Sequence, residues 1–300
     1  MAGGLLLAIS VGCTSVAAGS SPSLPSSPPA PLPSSVVASA PVSSPSTGVP
    51  VVPAPRIDSV ANFRDVAADG LDLAGGRRMS TGVTYRSAAL NTISDADLIR
   101  LHRAGVVSVI DLRTPAEVTA APDRVPKGAR YRSVNLYQGS AVPALARTTV
   151  AAARDRMRRL NVNFVAQPGE RAQTATVLRL IAAAEGPVLF HCAAGKDRTG
   201  WISAVLQLLA GADRDTVVAE YLKSNDYRAQ LIAEHYRSTL AAKGVLAARV
   251  RRASDRVEAE YLGAGLDEID RRYGSFGRYL IKGLGLSQTT IDTLRARLSA

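Results

Sequence analysis

The stretch Gly186-Pro187-Val188-Leu189-Phe190-His191-Cys192-Ala193-Ala194-Gly195-Lys196-Asp197-Arg198-Thr199-Gly200 restricts the fold more than any other part of the chain. Gly186-Pro187 interrupts whatever precedes it. Val188-Leu189-Phe190 is then an apolar run of strand length, and from Trp201 the positions Ile202, Val205, Leu206 and Leu209 follow helical spacing. A buried strand therefore passes through a glycine-containing loop straight into a helix. Val106-Val107-Ser108-Val109-Ile110 reads as another buried strand, ending at Asp111-Leu112-Arg113, and Tyr131 to Leu136 as a third. Thr174 to Ala184 carries Val177, Leu178, Leu180 and Ile181 at helical spacing, and residues 213–300 read as all-helical. Strands alternating with helices predict an α/β fold with a mostly parallel central sheet flanked by helices.

The loop itself has a C-x5-R pattern, Cys192 to Arg198, with Gly195 in its middle. Wrapped around a tetrahedral anion, the backbone of Ala193, Ala194, Gly195, Lys196, Asp197 and Arg198 turns its amides inward as a cradle, reinforced by the positive end of the next helix. Gly195 permits a backbone conformation that a Cβ would resist. Arg198 offers a planar fork to two phosphate oxygens. Cys192 lies at the base, where dipoles and positive charge favour the thiolate. Such a thiolate can attack phosphorus in line, forming a cysteinyl-phosphate that water later hydrolyses. Thr199 is placed to hydrogen-bond the sulfur. His191 is expected to be structural, fixing carbonyls near Cys192 and tuning the thiol. A purely structural cysteine would leave this neighbourhood unexplained. A nucleotide-binding P-loop fails on spacing, because Phe190 stands where its first glycine belongs and Asp197 follows Lys196. With three histidines in the whole chain, no metal centre is expected, and no cofactor is required.

Composition bears on partners and location. The net charge is +11, which favours anionic partners. Only 5% of residues are aromatic and no nucleic-acid-binding motif is present, so nucleic acid is not an expected partner. All charge lies from Arg56 onward. Leu5 to Val11 is an apolar run too short to span a bilayer, for which about 20 residues are needed. It fits a signal-peptide core. Ser10-Val11-Gly12-Cys13 is close to a lipoprotein box, with Cys13 as the residue that would be acylated. Ser20 to Pro55 holds eleven of the 17 prolines and reads as an extended spacer. The expected organisation is a signal or lipoprotein-type segment at 1–19, a Ser/Pro/Ala-rich linker at 20–55 and one catalytic domain at 56–300. The product would be secreted or surface-attached. Beyond Cys13, Cys192 has no partner for a disulfide.

HCAAGKDRTG resembles the signature of cysteine-dependent tyrosine phosphatases, and its internal Lys-Asp is most similar to the atypical bacterial tyrosine/lipid phosphatase family. Further similarities run in order from Asn62-Phe63-Arg64-Asp65 through Tyr85-Arg86-Ser87 with Leu90, and Ile110-Asp111-Leu112-Arg113. Tyr273-Gly274-Ser275 and Tyr279-Leu280 to Leu286 close the series. The resemblance implies a tyrosine-phosphatase-like fold with a helical lid, drawn from arginine-rich segments at 147–160 and 228–256. It implies Cys192 as nucleophile, Arg198 as phosphate clamp and Lys196 as added charge for inositol phosphates. The single tryptophan, Trp201, rules out the separate acid loop of ordinary tyrosine phosphatases. Asp197 is then the candidate general acid, with a salt bridge or helix cap as its structural alternative. Asp111 is the second candidate, more readily a hydrogen-bonding group within the site. Arg64 and Asp65 are read as pairing with each other to pin the N-terminal segment. The implied partners are phosphorylated proteins, phosphoinositides and an anionic membrane surface. A non-catalytic phosphate-recognition domain is the alternative function.

Overall fold

The structure is a computed structural model describing residues 53–138 and 149–299. The segment at 1–19 with Cys13, the linker as far as residue 52 and the start of the 147–160 segment lie outside the described residues.

Five strands form one sheet: β1 (Arg64–Asp65), β2 (Thr84–Ser87), β3 (Ser108–Asp111), β4 (Arg130–Ser133) and β5 (Val188–His191). Their order is β1-β2-β5-β3-β4, with β5 in the centre. β2, β5, β3 and β4 run parallel, and β1 alone pairs antiparallel at the edge. The register sets Ser87 and Asp111 on either side of His191, so three strand ends meet where the 192–198 loop begins. This is the carboxyl end of a parallel sheet, where α/β proteins place their ligands.

Side-chain alternation along the strands divides the core. Val188, Phe190 and Ile110 face one cluster, while Leu189, Val109 and Tyr85 face the other. The smaller cluster is covered by α1 (Asp95–Arg103) and the 57–63 segment. The larger is covered by α3 (Val150–Ala166), α4 (Pro168–Ala182), α5 (Arg198–Ala210), α9 (Ala259–Tyr273) and α11 (Gln288–Leu298), while α2 (Pro115–Ala120) follows β3. Thr174 to Ala184 thus belongs to the longer α4, whose Pro168 occupies the first turn, where a missing N–H costs nothing. Trp201 is fully buried, stacked on Phe164 at 5.6 Å and edge-on to Tyr279 at 6.4 Å.

After α6 (Arg214–Leu222) and α7 (Ser224–Tyr227) comes α8 (Ala229–Asp255), which is broken at Gly244, φ 79°. His235 Nδ1 lies 3.0 Å from Asp255 Oδ2, and Arg252 sits over the Tyr236 ring at 5.9 Å. A continuous helix would hold residues 235 and 255 about 30 Å apart. The two arms therefore fold back on each other, and the arginine-rich 228–256 region is a helical hairpin. Val250 and Ala253 of its second arm pack on Ala153 of α3. α10 (Phe276–Arg278) precedes the closing turns before α11.

Candidate active site

Gly195 carries the conformation of the loop. Its φ is +65°, and a Cβ there would stand 2.4 Å from the backbone oxygen of Ser87. No side chain fits against the end of β2 at that distance. The outer surface of the loop is held by donors from the N-terminal segment. Asn62 Nδ2 donates to Gly195 O at 2.7 Å, and Arg86 Nη2 donates to the same oxygen at 2.8 Å. Because a trans peptide points its N–H opposite to its C=O, the carbonyl held outward aims the Lys196 amide to the inner side. The first α5 amides bonded back to the loop are those of Gly200, to Lys196 O, and Trp201, to Asp197 O. Of the amides before them, that of Thr199 serves Cys192, and helix geometry leaves the others without an intrahelical partner.

Cys192 follows β5 directly, is 2% exposed and is a free thiol. Burial by itself raises a thiol, but here the Arg198 charge and the Thr199 hydroxyl and amide outweigh it and bring Cys192 below its ordinary value. Thr199 Oγ1 is buried, with no other hydrogen-bond partner among the described residues.

Arg198 is the first residue of α5, and Glu117 fixes it. Arg198 Nη1 donates to Glu117 Oε2 at 2.6 Å and Nη2 donates to Glu117 Oε1 at 2.8 Å. Leu112 O accepts from Nη1 at 3.3 Å, and the guanidinium lies 4.5 Å above the Tyr137 ring. Its Nε is buried without a partner, an N–H still available to an anion. Burial would raise the Glu117 carboxyl, yet the Arg198 bonds, its charge and Thr114 hold it at about 2. Glu117 and Tyr137 are absent from the sequence-based set. Thr114 and Glu117 do form a capping box at the start of α2, and that signal is readable in the sequence. The pairing with Arg198, 81 residues away, is not.

Lys196 and Asp197 are brought together, Nζ to Oδ1 at 2.9 Å, with Lys196 buried and the Asp197 side chain 17% exposed. The salt-bridge alternative for Asp197 is thus present. The helix-cap alternative is not, since Asp197 precedes α5 without a side-chain cap bond.

Beneath the loop, Arg113 binds Asp111 through Nε at 2.9 Å and Nη2 at 2.7 Å, and Asp123 through Nη2 at 2.7 Å. Tyr131 donates its hydroxyl to Asp111 at 2.7 Å. His191 Nε2 lies 3.1 Å from Asp123, and Nδ1 lies 3.5 Å from Cys192 O. Asp111 is fully buried. Burial opposes its charge, but the Arg113 bonds and charged neighbours hold it well below the usual carboxylate range. A carboxylate so paired has no proton to give, which removes Asp111 as a candidate acid and leaves it as a support for His191. Ligand atoms of Asp111, Asp123 and His191 lie within 4.8 Å of one another. The Arg113 guanidinium bridges the two carboxylates and supplies the cation there.

One expectation is corrected. Arg64 does not pair with Asp65. Its Nε donates to Glu220 at 2.5 Å and its Nη1 to Asn62 Oδ1 at 2.6 Å, while Asp65 accepts the Ala67 and Gly82 amides. The antiparallel edge strand sends these neighbours to opposite faces, Arg64 towards α6 and Asp65 into the following turn. Arg64 therefore buttresses Asn62, which holds the loop.

The end of the central parallel strand of this α/β scaffold thus carries a buried thiol under the electrostatic influence of Arg198. A model of the tyrosine phosphatase family matches residues 55–300, and the chain belongs to that family. Among its relatives is the triple specificity protein phosphatase PtpB of Mycobacterium tuberculosis, 32% identical over 276 residues that cover 79% of this chain and 96% of that protein. A tyrosine-phosphatase homologue of Cupriavidus necator is 34% identical over 230 residues, covering 74% of this chain and 81% of its own. The crystal structure of TpbA from P. aeruginosa aligns with 64% of this chain and 89% of its own at 20% identity, with a TM-score of 0.29.

Proposed function

We propose that the chain hydrolyses phosphate monoesters through a cysteinyl-phosphate intermediate. The observation that carries this reading is the buried, unpartnered Arg198 Nε beside a buried thiol lowered by the same arginine. The phosphoryl group settles among the loop amides and Arg198. Cys192 Sγ attacks phosphorus, the bond to the leaving oxygen breaks, and Asp197 gives that oxygen its proton. Lys196 Nζ holds Asp197 Oδ1 at 2.9 Å. An arriving phosphate competes for that ammonium and frees the Asp197 side chain to face the leaving oxygen. In the second half, Asp197 accepts a proton from water, the water oxygen attacks phosphorus, and the P–S bond breaks to free phosphate and thiolate, with Thr199 easing sulfur's departure. His191 and Asp111 support the loop from below.

The substrates are phosphotyrosine, with phosphoserine, phosphothreonine and phosphoinositides in addition. Membership of a tyrosine phosphatase family supports the first, and the triple specificity named for the mycobacterial relative supports the breadth. Lys196, an extra cation within the loop, supports multiply phosphorylated ligands. The test uses aryl phosphates of graded leaving ability. Cys192→Ser should abolish turnover, and Asp197→Asn should slow poor leaving groups at least tenfold more than good ones. Equal slowing across the series removes Asp197 as the acid.

The same reading places the enzyme outside the cell, facing an anionic membrane surface. It rests on the apolar run and the charge-free spacer before Arg56, together with the net charge of +11. Mass spectrometry of the mature N-terminus checks it: an unprocessed chain with an unmodified Cys13 contradicts export by this signal.

A further inference from the structure

The hairpin ends in an unusual surface. Leu240, Ala241, Ala242, Lys243, Gly244, Val245 and Leu246 form its turn, and all are exposed. Leu240, Val245 and Leu246 are 38%, 52% and 60% exposed. Single exposed apolar residues are ordinary, but three on one projecting turn mark an interaction site. The flanking arms are cationic. Arg237, Lys243, Arg249, Arg251 and Arg252 stand against two carboxylates, Glu234 and Asp255. Asp255 is already taken by Arg251 at 2.6 Å and by His235. Among the described residues, Arg237, Lys243, Arg249 and Arg252 pair with no carboxylate. Arg237, Arg252 and Arg256 line a cavity of about 370 Å³ beside Ile232 and Tyr236.

We propose that this hairpin docks the protein onto an anionic bilayer, its apolar turn entering the interface while the unpaired arginines engage lipid phosphates. Among the described residues, no helix is long and apolar enough to cross a membrane, so the contact is superficial. The dimensions agree. The unpaired Arg237 and Arg252 lie seven and eight residues from Gly244 along the two arms, about 10–12 Å at helical rise. The polar layer on each side of a bilayer is roughly 5–8 Å thick. A turn seated in the interface therefore leaves these cations at headgroup level, where long basic side chains extend to phosphate. Each cation near such a surface contributes modestly, but several on one element add up and respond to salt. Charge complementarity selects the bilayer over a second copy of this basic chain, which would bring like charges together.

This inference rests on the membrane part of the reading above and is independent of the catalytic part, because it is read by binding. In the full chain carrying Leu246→Trp, vesicles containing phosphatidylserine should blue-shift the emission of the new tryptophan, against a background of the buried Trp201. Phosphatidylcholine vesicles should not. The double variant Val245→Asp/Leu246→Asp should bind the anionic vesicles at least tenfold more weakly. It should still hydrolyse a soluble aryl phosphate at the wild-type rate, which shows that the domain is intact. An unshifted emission with anionic vesicles overturns the proposal, as does an equal shift with neutral ones. Undiminished affinity of the double variant also overturns it, placing attachment elsewhere on the chain. A shift set by protein concentration alone would give the tip to a second copy.

Discussion

The guanidinium of Arg198 has five N–H groups, and Glu117 takes two of them. A long side chain that would otherwise sample many rotamers is thereby fixed before substrate arrives, which is where preorganised electrostatics acts in catalysis. Glu117→Gln keeps the shape and one hydrogen bond but removes the charge. The expected outcome is a fall in kcat/KM of about 10- to 100-fold, the scale on which loss of a partner that orients an active-site group acts. There is also a pH signature. The folded-state carboxyl sits at about 2 against an ordinary 4.5. A depressed carboxylate stabilises the fold above its unfolded value and loses that contribution as pH falls through the folded one. Urea denaturation should therefore show wild type more stable than Glu117→Gln at neutral pH, the gap closing from about 4.5 down to about 2. A gap independent of pH would show that the charge of Glu117 is immaterial. Nothing in the sequence announced this pairing, since a glutamate closing a capping box is sufficiently explained by its own helix.

At the level of elements, β3 and β5 were legible because β-branched and apolar runs ending in polar residues have few other solutions. β2 was not. Thr84–Ser87 reads as a polar tetrapeptide, and only the fold shows why a strand holds a fully buried arginine there: Arg86 donates to Gly195 O at the far side of the loop. Likewise, a single glycine in a helical pattern is ordinary, so the reversal at Gly244 left no trace in periodicity. The loop itself was legible because glycine, cysteine and arginine at fixed spacing have few other joint uses. Gly195→Ala tests that element. Its left-handed φ would cost about 1–3 kcal/mol, and its Cβ meets Ser87 O at 2.4 Å, so the backbone must move. Activity should fall at least a hundredfold with a lower Tm but an unchanged far-ultraviolet circular dichroism spectrum. Near-wild-type activity would mean that the cradle tolerates a different loop path.

For the whole molecule, the sheet supplies position and the helices supply rigidity. An unbroken run of rings leads from Tyr137 under Arg198 through Phe164 to Trp201 and Tyr279, each pair within 6.4 Å. Aromatic pairs of this kind contribute about 0.5–1.5 kcal/mol each beyond area burial. They join α3, α5 and the closing turns behind the site, so that the loop rests on a fixed wall. All of that rigidity serves one sulfur atom. The most direct measurement is therefore acid quenching of the enzyme within its first turnovers on an aryl phosphate, followed by mass spectrometry of the peptide bearing Cys192. A phosphoryl group on Cys192 that is lost in Cys192→Ser, along with turnover, is the predicted result. Steady hydrolysis with no adduct on that peptide, persisting in Cys192→Ser, would contradict the account.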